Sequence, residues 1–372
     1  MNAPVKYIIF AARHKAVYHH HMRILELNFE KSWRGGERQT LYNMIGLRDA
    51  GHDVQLVCRK GFPLQQKAAA AGFTTFGYDS IFPVLFFLIT KGSRYQLLHA
   101  QTAQILTYCV FTKLFHQRPV FFSRRVDFVP KGFFTRLKYA GTTKIFAISS
   151  AIKKIVEDFT GRKDIELISS IVLPSKPDQQ RAAALLQEAN IAPRKHIIGT
   201  TAALVQHKDP LTLVTAIHEL RKLRSDFIFL HFGKGPLEAL LQEKILALNL
   251  QDHYKLMGFY EEVEDFFAVF DVFVMSSEEE GLGSSVLDAF MQRVPVVTTT
   301  AGGLAELAAD NRAISCDVHD APALARGIND LLNDPAATTT MVDKAWQYAH
   351  EKHSMEYIIE QYNRSFRAVL NK

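Results

Sequence analysis

The sequence predicts an α/β protein of two doubly wound parallel-sheet domains that face each other across a cleft. Three observations carry this. The chain has 372 residues, more than the roughly 150 of a typical single domain. Short apolar, β-rich runs alternate with helical patterns in both halves, the rhythm of parallel βαβ units. That rhythm breaks between Ser169 and Arg194, where Pro174, Pro177 and Pro193 fall. Hydrophobic residues make up 48% and charged residues 22%, enough apolar material for two cores and against disorder.

In chain order, Arg23–Leu27, Asp53–Cys58, Gln96–Ala100, Val120–Ser123 and Lys144–Ile148 read as strands. Glu37–Ala50, Thr102–His116 and Ala151–Phe159 read as the helices between them. The pattern resumes at Ile197–Thr201, Phe227–Phe232, Asp271–Met275 and Pro295–Thr299. This gives an N-terminal extension (1–21), a first domain (22–175), a linker (176–194), a second domain (195–353) and a closing helix (354–372). The linker carries a short polar helix around Arg181–Ala189. The closing helix, Met355–Leu370, is amphipathic, with Ile358, Tyr362 and Phe366 at four-residue spacing. It is expected to pack back across the first domain; capping of the second domain alone is the bland alternative. Residues 1–21 precede the first strand and end in His19-His20-His21, to which no role is assigned.

Composition narrows the function classes. Cys58, Cys109 and Cys316 are widely spaced and odd in number, which fits a reducing cytoplasm better than a disulfide framework or a metal site. The longest apolar run, Ile81–Ile89, contains Pro83 and falls far short of the roughly 20 residues of a spanning helix. No secretory signal is expected. The formal charge of +6 is unevenly distributed. Residues 1–175 hold 25 Lys plus Arg against 11 Asp plus Glu, and residues 176–372 hold 19 against 27. An anionic partner is therefore expected on the first half only.

The stretch Asp271–Leu307 carries the chemistry. A buried strand leads into a polar loop with Glu280, Gly281, Leu282 and Gly283, then Ser284 as the expected N-cap of a helix over Val286–Met291. Glycines let backbone approach a ligand, and the amides of a helix start suit phosphate. Glu280 before the loop and Asp288 one turn into the helix flank this pocket. A nucleotide sugar fits two carboxylates around a phosphate nest, one for sugar hydroxyls and one for ribose. Lys208, in the loop after the second domain's first strand, is the candidate cation for the diphosphate. Gly233-Lys234-Gly235-Pro236 is a tight turn at the same edge.

This stretch resembles family 4 of the retaining GT-B glycosyltransferases, whose hallmark is Glu, seven residues, Glu, running on into PVV and a Gly-Gly pair. Here Glu280 and Asp288 hold those positions, followed by Pro295-Val296-Val297, Gly302-Gly303 and Glu306. The resemblance extends to Gly199–Asp209, Met257-Gly258-Phe259, Gly35-Gly36-Glu37-Arg38 and the closing helix. It implies a GT-B fold of two Rossmann-like domains. It further implies that Glu280 binds donor-sugar hydroxyls, that the backbone of Gly281, Leu282, Gly283 and Ser284 cradles the diphosphate, and that Asp288 binds ribose. Lys208 would neutralise the diphosphate, Gly258 and Phe259 would touch the base, and Gly35 and Gly36 would let the first domain close. Departure of the nucleoside diphosphate with retention, and no metal or other cofactor, are likewise implied.

Three positions depart from the family pattern. Asp288 is one methylene shorter than the usual Glu. Ala203 replaces an arginine, so Arg34, Arg124 or Arg125 is expected to supply the missing charge. Gln101 stands where a histidine is usual, leaving His99 as either a sugar-side group or a core histidine. On the acceptor side, Phe121–Tyr139 interleaves aromatics with Arg124, Arg125, Lys131, Arg136 and Lys138. With Ile81–Ile89 it reads as a surface for anionic lipid, with no nucleic acid involved. The expectation is a hexosyltransferase at the inner face of the cytoplasmic membrane, acting on a lipid-linked or lipopolysaccharide-core glycan. A non-hydrolysing nucleotide-sugar epimerase and a non-catalytic nucleotide-sugar-binding protein are the alternatives.

Overall fold

A computed structural model describes residues 21–174, 178–188, 191, 196–260 and 263–371. The extension before His21 and the proline-flanked ends of the linker lie outside these residues.

The first lobe is a seven-stranded parallel sheet. Its strands are β1 (Arg23–Asn28), β2 (Asp53–Arg59), β3 (Thr74–Tyr78), β4 (Leu97–Ala100), β5 (Val120–Arg124), β6 (Lys144–Ala147) and β7 (Glu166–Leu167). They lie in the order β3-β2-β1-β4-β5-β6-β7. The second lobe holds β8 (His196–Thr201), β9 (Phe227–Phe232), β10 (Tyr254–Gly258), β11 (Val272–Met275), β12 (Val296–Thr299) and β13 (Ile314–Cys316). Their order is β10-β9-β8-β11-β12-β13, again all parallel. Strand order reverses between β1 and β4 and between β8 and β11, and ligands of such sheets bind outside the carboxyl ends at these switch points.

Every strand absent from the sequence reading (β3, β7, β10, β13) is a sheet edge. Central strands such as β4, β9 and β11 are buried along their whole length. They therefore spell continuous apolar runs, as parallel sheets covered on both faces do. The edge strands are mostly half-exposed and lack that signature. The helix expected over Thr102–His116 is two helices, Ala103–Phe111 and Lys113–His116, broken at Thr112. The apolar run and the segment after β5 also form helices, Ile81–Lys91 and Phe133–Gly141. The linker helix, Gln179–Glu188, docks on the second lobe: Ala182 is buried and Arg181 pairs with Asp265 at 3.0 Å.

The closing helix, Met355–Leu370, leaves the second lobe and packs on the first. Ile358, Ile359, Tyr362 and Phe366 share a core with Met44, Phe121 and Phe146. The Phe366 ring lies 4.7 Å from that of Phe121, edge to face. Tyr362 Oη and Ser123 Oγ are 3.1 Å apart, and His52 Nε2 and Asn363 Oδ1 2.8 Å. Gly46 leaves the space that Ile359 fills. Truncating a fully buried phenylalanine removes its transfer energy and leaves a cavity, so Phe366→Ala is expected to cost about 3–5 kcal/mol. A fall in the urea midpoint followed by circular dichroism checks this; an unchanged midpoint would contradict the docking.

Candidate active site

The loop after β11 is stitched to the loop after β8. Ser276 Oγ donates to the carbonyls of Lys208 and Asp209, both at 3.0 Å. The amides of Glu278 and Glu279 both donate to the carbonyl of His207, at 3.0 and 3.2 Å. The glycine pair closes the loop from below, with Gly303 N donating to Glu280 O at 2.9 Å. Gly302 (φ 51°, ψ −120°) occupies backbone space reserved for glycine, and a Cβ there would collide with that same carbonyl. The motif spacing is thus a backbone-packing requirement as much as a ligand one.

The helix that follows is Ser284–Met291. Its cap is Gly283 (φ 97°), not Ser284 as the sequence suggested, and it brings no side-chain cap bond. The positive end of the helix dipole therefore lacks a side-chain acceptor of its own, the condition that favours an anion. It faces the first lobe: a Cβ built on Gly35 would lie 3.8 Å from Ser284 Oγ, whereas Gly36 borders open space.

Lys208 and Glu280 meet at this mouth as a mostly buried ion pair. Ser277 Oγ lies 3.3 Å from the same Glu280 oxygen. Asp288 accepts from Arg38 of the first lobe at 2.7 Å, and the other terminal nitrogen of Arg38 donates to Glu264 at 2.9 Å. Burial alone would depress the Arg38 pKa, but the charge of Asp288, with help from Tyr42 and Glu264, holds it above its ordinary value. Burial pushes the Glu264 carboxyl up while Arg38 opposes it. The sequence offered Arg38 only as part of a motif and said nothing of Glu264. Their partners lie 250 and 226 residues apart in the chain.

The remaining positions separate into those at the cleft and those away from it. Arg34 caps the helix Gly35–Asp49 and is exposed. Gly258 O accepts from Gly233 N at 2.8 Å, and Phe259 beside it keeps its ring exposed. Gly233 and Gly235 sit against the carbonyls of Ala202 and Leu204, so the GKGP turn braces the Lys208 loop. Two candidates are corrected. His99 is fully buried between Glu26 Oε1 (2.9 Å) and Ser123 Oγ (2.8 Å), edge-on to Phe146 and Phe366. It is a core histidine. Arg124 is 1% exposed, and its guanidinium donates to Tyr139 Oη at 2.6 Å and to the carbonyl of Phe128. It holds the first lobe together. Arg125 does reach the cleft, since a Cβ on Gly281 would lie 2.7 Å from its carbonyl oxygen.

Two parallel-sheet lobes meeting around an anion-attracting loop are the GT-B architecture. Residues 183–349, most of the second lobe, match the family described as Glycosyl transferases group 1. The crystal structure of Anabaena Alr3699/HepE in complex with UDP and glucose aligns with a TM-score of 0.83, covering 94% of this chain and 100% of that one at 19% identity. The lipopolysaccharide core biosynthesis glycosyltransferase LpsE of Rhizobium meliloti (strain 1021) is 26% identical over 230 residues, 61% of this chain and 65% of that protein. The 2-deoxystreptamine glucosyltransferase of Streptomyces kanamyceticus is 28% identical over 179 residues, 44% of this chain and 46% of that protein. The match spans less than two thirds of either relative.

Gly302→Ala forces the Glu280 carbonyl to move and is expected to cost at least about 1–3 kcal/mol. Equilibrium unfolding measures this. Stability equal to the parent would mean that the loop is not closed by this contact.

Proposed function

We propose that this chain is a retaining glycosyltransferase that moves a hexose-type sugar from a nucleoside-diphosphate sugar to a glycan or lipid-linked acceptor at a membrane surface. The reading is carried by the meeting of Lys208 and Glu280 beside the uncapped start of the helix Ser284–Met291, with Asp288 one turn further in. A cation, a carboxylate and an amide cradle at one mouth suit a diphosphate joined to a polyol.

On donor arrival, Lys208 exchanges Glu280 for a phosphate oxygen, a charge-assisted bond of roughly 1.5–3 kcal/mol. Glu280 is then left for sugar hydroxyls, and Asp288 for ribose once Arg38 yields or shares it. Negative charge builds on the departing diphosphate, where Lys208 and the amides of Gly281–Ser284 are already in place. The acceptor hydroxyl attacks from the same face, keeping the anomeric configuration. No metal is assigned a part.

The first lobe's outer surface supports the acceptor's proposed setting. Helix Ile81–Lys91 packs on Lys113–His116, and Ala103–Phe111 packs on Phe133–Gly141. These helices expose Phe82, Phe86, Phe111, Leu114, Phe133 and Phe134, each more than 60% accessible. A patch of this kind marks an interaction surface. Residues 80–143 hold nine cations (Lys91, Arg94, Lys113, Arg118, Arg124, Arg125, Lys131, Arg136, Lys138) against one acid, Asp127. Exposed aromatics with a positive field match an anionic lipid interface. Among the described residues, no helix is long and apolar enough to cross a membrane. A lipopolysaccharide or other cell-surface glycan acceptor fits this placement.

With the matching donor, Lys208→Ala and Glu280→Ala are each expected to reduce transfer about 10²–10³-fold, and transfer is expected to survive EDTA. Turnover by Glu280→Ala equal to the parent would reject the site. Isomerised nucleotide sugar from donor alone would indicate an epimerase. Paired Phe133→Ser and Phe134→Ser changes are expected to weaken binding to phosphatidylglycerol vesicles at least tenfold by sedimentation. Equal parental binding to neutral vesicles at high salt would remove the electrostatic part of the surface reading.

A further inference from the structure

Arg124 ends β5 and Arg125 opens the loop after it, and the two do different things. Arg124 is fully enclosed by its own lobe. Arg125 has its carbonyl against Gly281, next to Glu280, while its side chain runs back to Gln101 beyond the end of β4. Its Nη2 donates to Gln101 Oε1 at 2.9 Å. Its Nε and Nη1 are buried and have no hydrogen-bond partner. A buried guanidinium with unsatisfied N–H groups is costly and calls for an explanation.

Glu26, the carboxylate on the far side of Gln101, does not supply one. Glu26 is fully buried, and its two oxygens are engaged by His99 at 2.9 Å and by Gln101 Nε2 at 2.7 Å. The Gln101 amide therefore donates to Glu26 and accepts from Arg125, standing between the two charges. Among the described residues, Arg125 has no ion pair. The arrangement keeps one first-lobe cation oriented and without an ion pair, its carbonyl against Gly281 of the second lobe and its side chain turned to Gln101. Lys208 and the helix start that suit the diphosphate belong to the second lobe.

We infer that Arg125, positioned by Gln101, recognises an oxyanion on the acceptor, a carboxylate or phosphate group held beside the transferred sugar. This rests on the reading of the cleft as a nucleotide-sugar site. A planar guanidinium is suited to either anion. Gln101 is a positioning residue here: a neutral amide fixes the arginine without cancelling its charge, as a carboxylate at that place would.

The test uses the full chain saturated with uridine or guanosine diphosphate, whichever binds by calorimetry. Inorganic phosphate and malonate are then titrated while the unfolding temperature is followed. A saturable rise of about 2 °C is expected for one or both, the amount ligand linkage gives near tenfold the Kd for a chain of this length. The stronger anion tells whether phosphate or carboxylate is preferred. Arg125→Gln is expected to abolish the rise while changing nucleoside-diphosphate affinity less than twofold, and Arg125→Lys to restore part of it. Three results would overturn the inference: no anion effect on the parent, an equal effect on Arg125→Gln, or a tenfold loss of nucleoside-diphosphate affinity in that variant. The last would assign Arg125 to the donor. Failure of the parent to bind either nucleoside diphosphate would overturn the site reading itself.

Discussion

Two sheets that share no strand can form one site only if something fixes their mutual position. Here the chain itself does much of it. The helix Met355–Leu370 leaves the second lobe and buries its apolar stripe in the first. The segment before it is tied in as well, since Val172 N donates to His353 O at 2.9 Å. The cleft is thus flanked by two covalent crossings, the linker and this return. Such a pair of crossings keeps the two lobes from separating, as the proposed nucleotide-sugar site between them would need.

Within that frame, close contacts between the lobes are apolar at Ile152, which shares a core cluster with Leu282 and Leu304, and polar around it. Gly35 faces Ser284, Gly281 faces the Arg125 carbonyl, and Ser150 N donates to Glu306 at 2.9 Å. Arg38 bridges the lobes as a charged contact, between Asp288 and Glu264. Its energy is limited by the desolvation of three charges, so it suits a contact that must break. Under the proposed function a ribose at Asp288 would compete directly with Arg38, which would keep Glu264 as its partner. The shorter Asp at this position is matched by a cation that reaches it from the opposite lobe.

Much of this was legible in the sequence where the determinants are local. The central strands, the Glu280–Asp288 block and the glycine pair lie in short segments whose chemistry is self-contained. What escaped is non-local or degenerate. Edge strands carry no continuous apolar run. Arg38 meets its carboxylates only through folding. His99 and Gln101 lie two residues apart and differ in burial by only a few per cent, yet only Gln101 extends to Arg125. Arg124 and Arg125 are indistinguishable as letters, but the strand ends between them: Arg124 is enclosed by its own lobe, and Arg125 opens the loop with its carbonyl against Gly281.

That strand end also links the cleft to the outer surface. The loop after β5 begins at Arg125, against Gly281, and ends at the exposed Phe133 and Phe134. Arg124 pins it midway, bonding the Phe128 carbonyl and lying 5.2 Å from the centre of that residue's ring. A buried cation is tolerated only where hydrogen bonds replace its water, and here the Tyr139 hydroxyl and this carbonyl take the two terminal nitrogens. The structural arginine therefore sets where its neighbour stands and where the aromatics emerge. The proposed anion site at Arg125 and the exposed aromatic face are therefore joined by a single nine-residue stretch, 125–133.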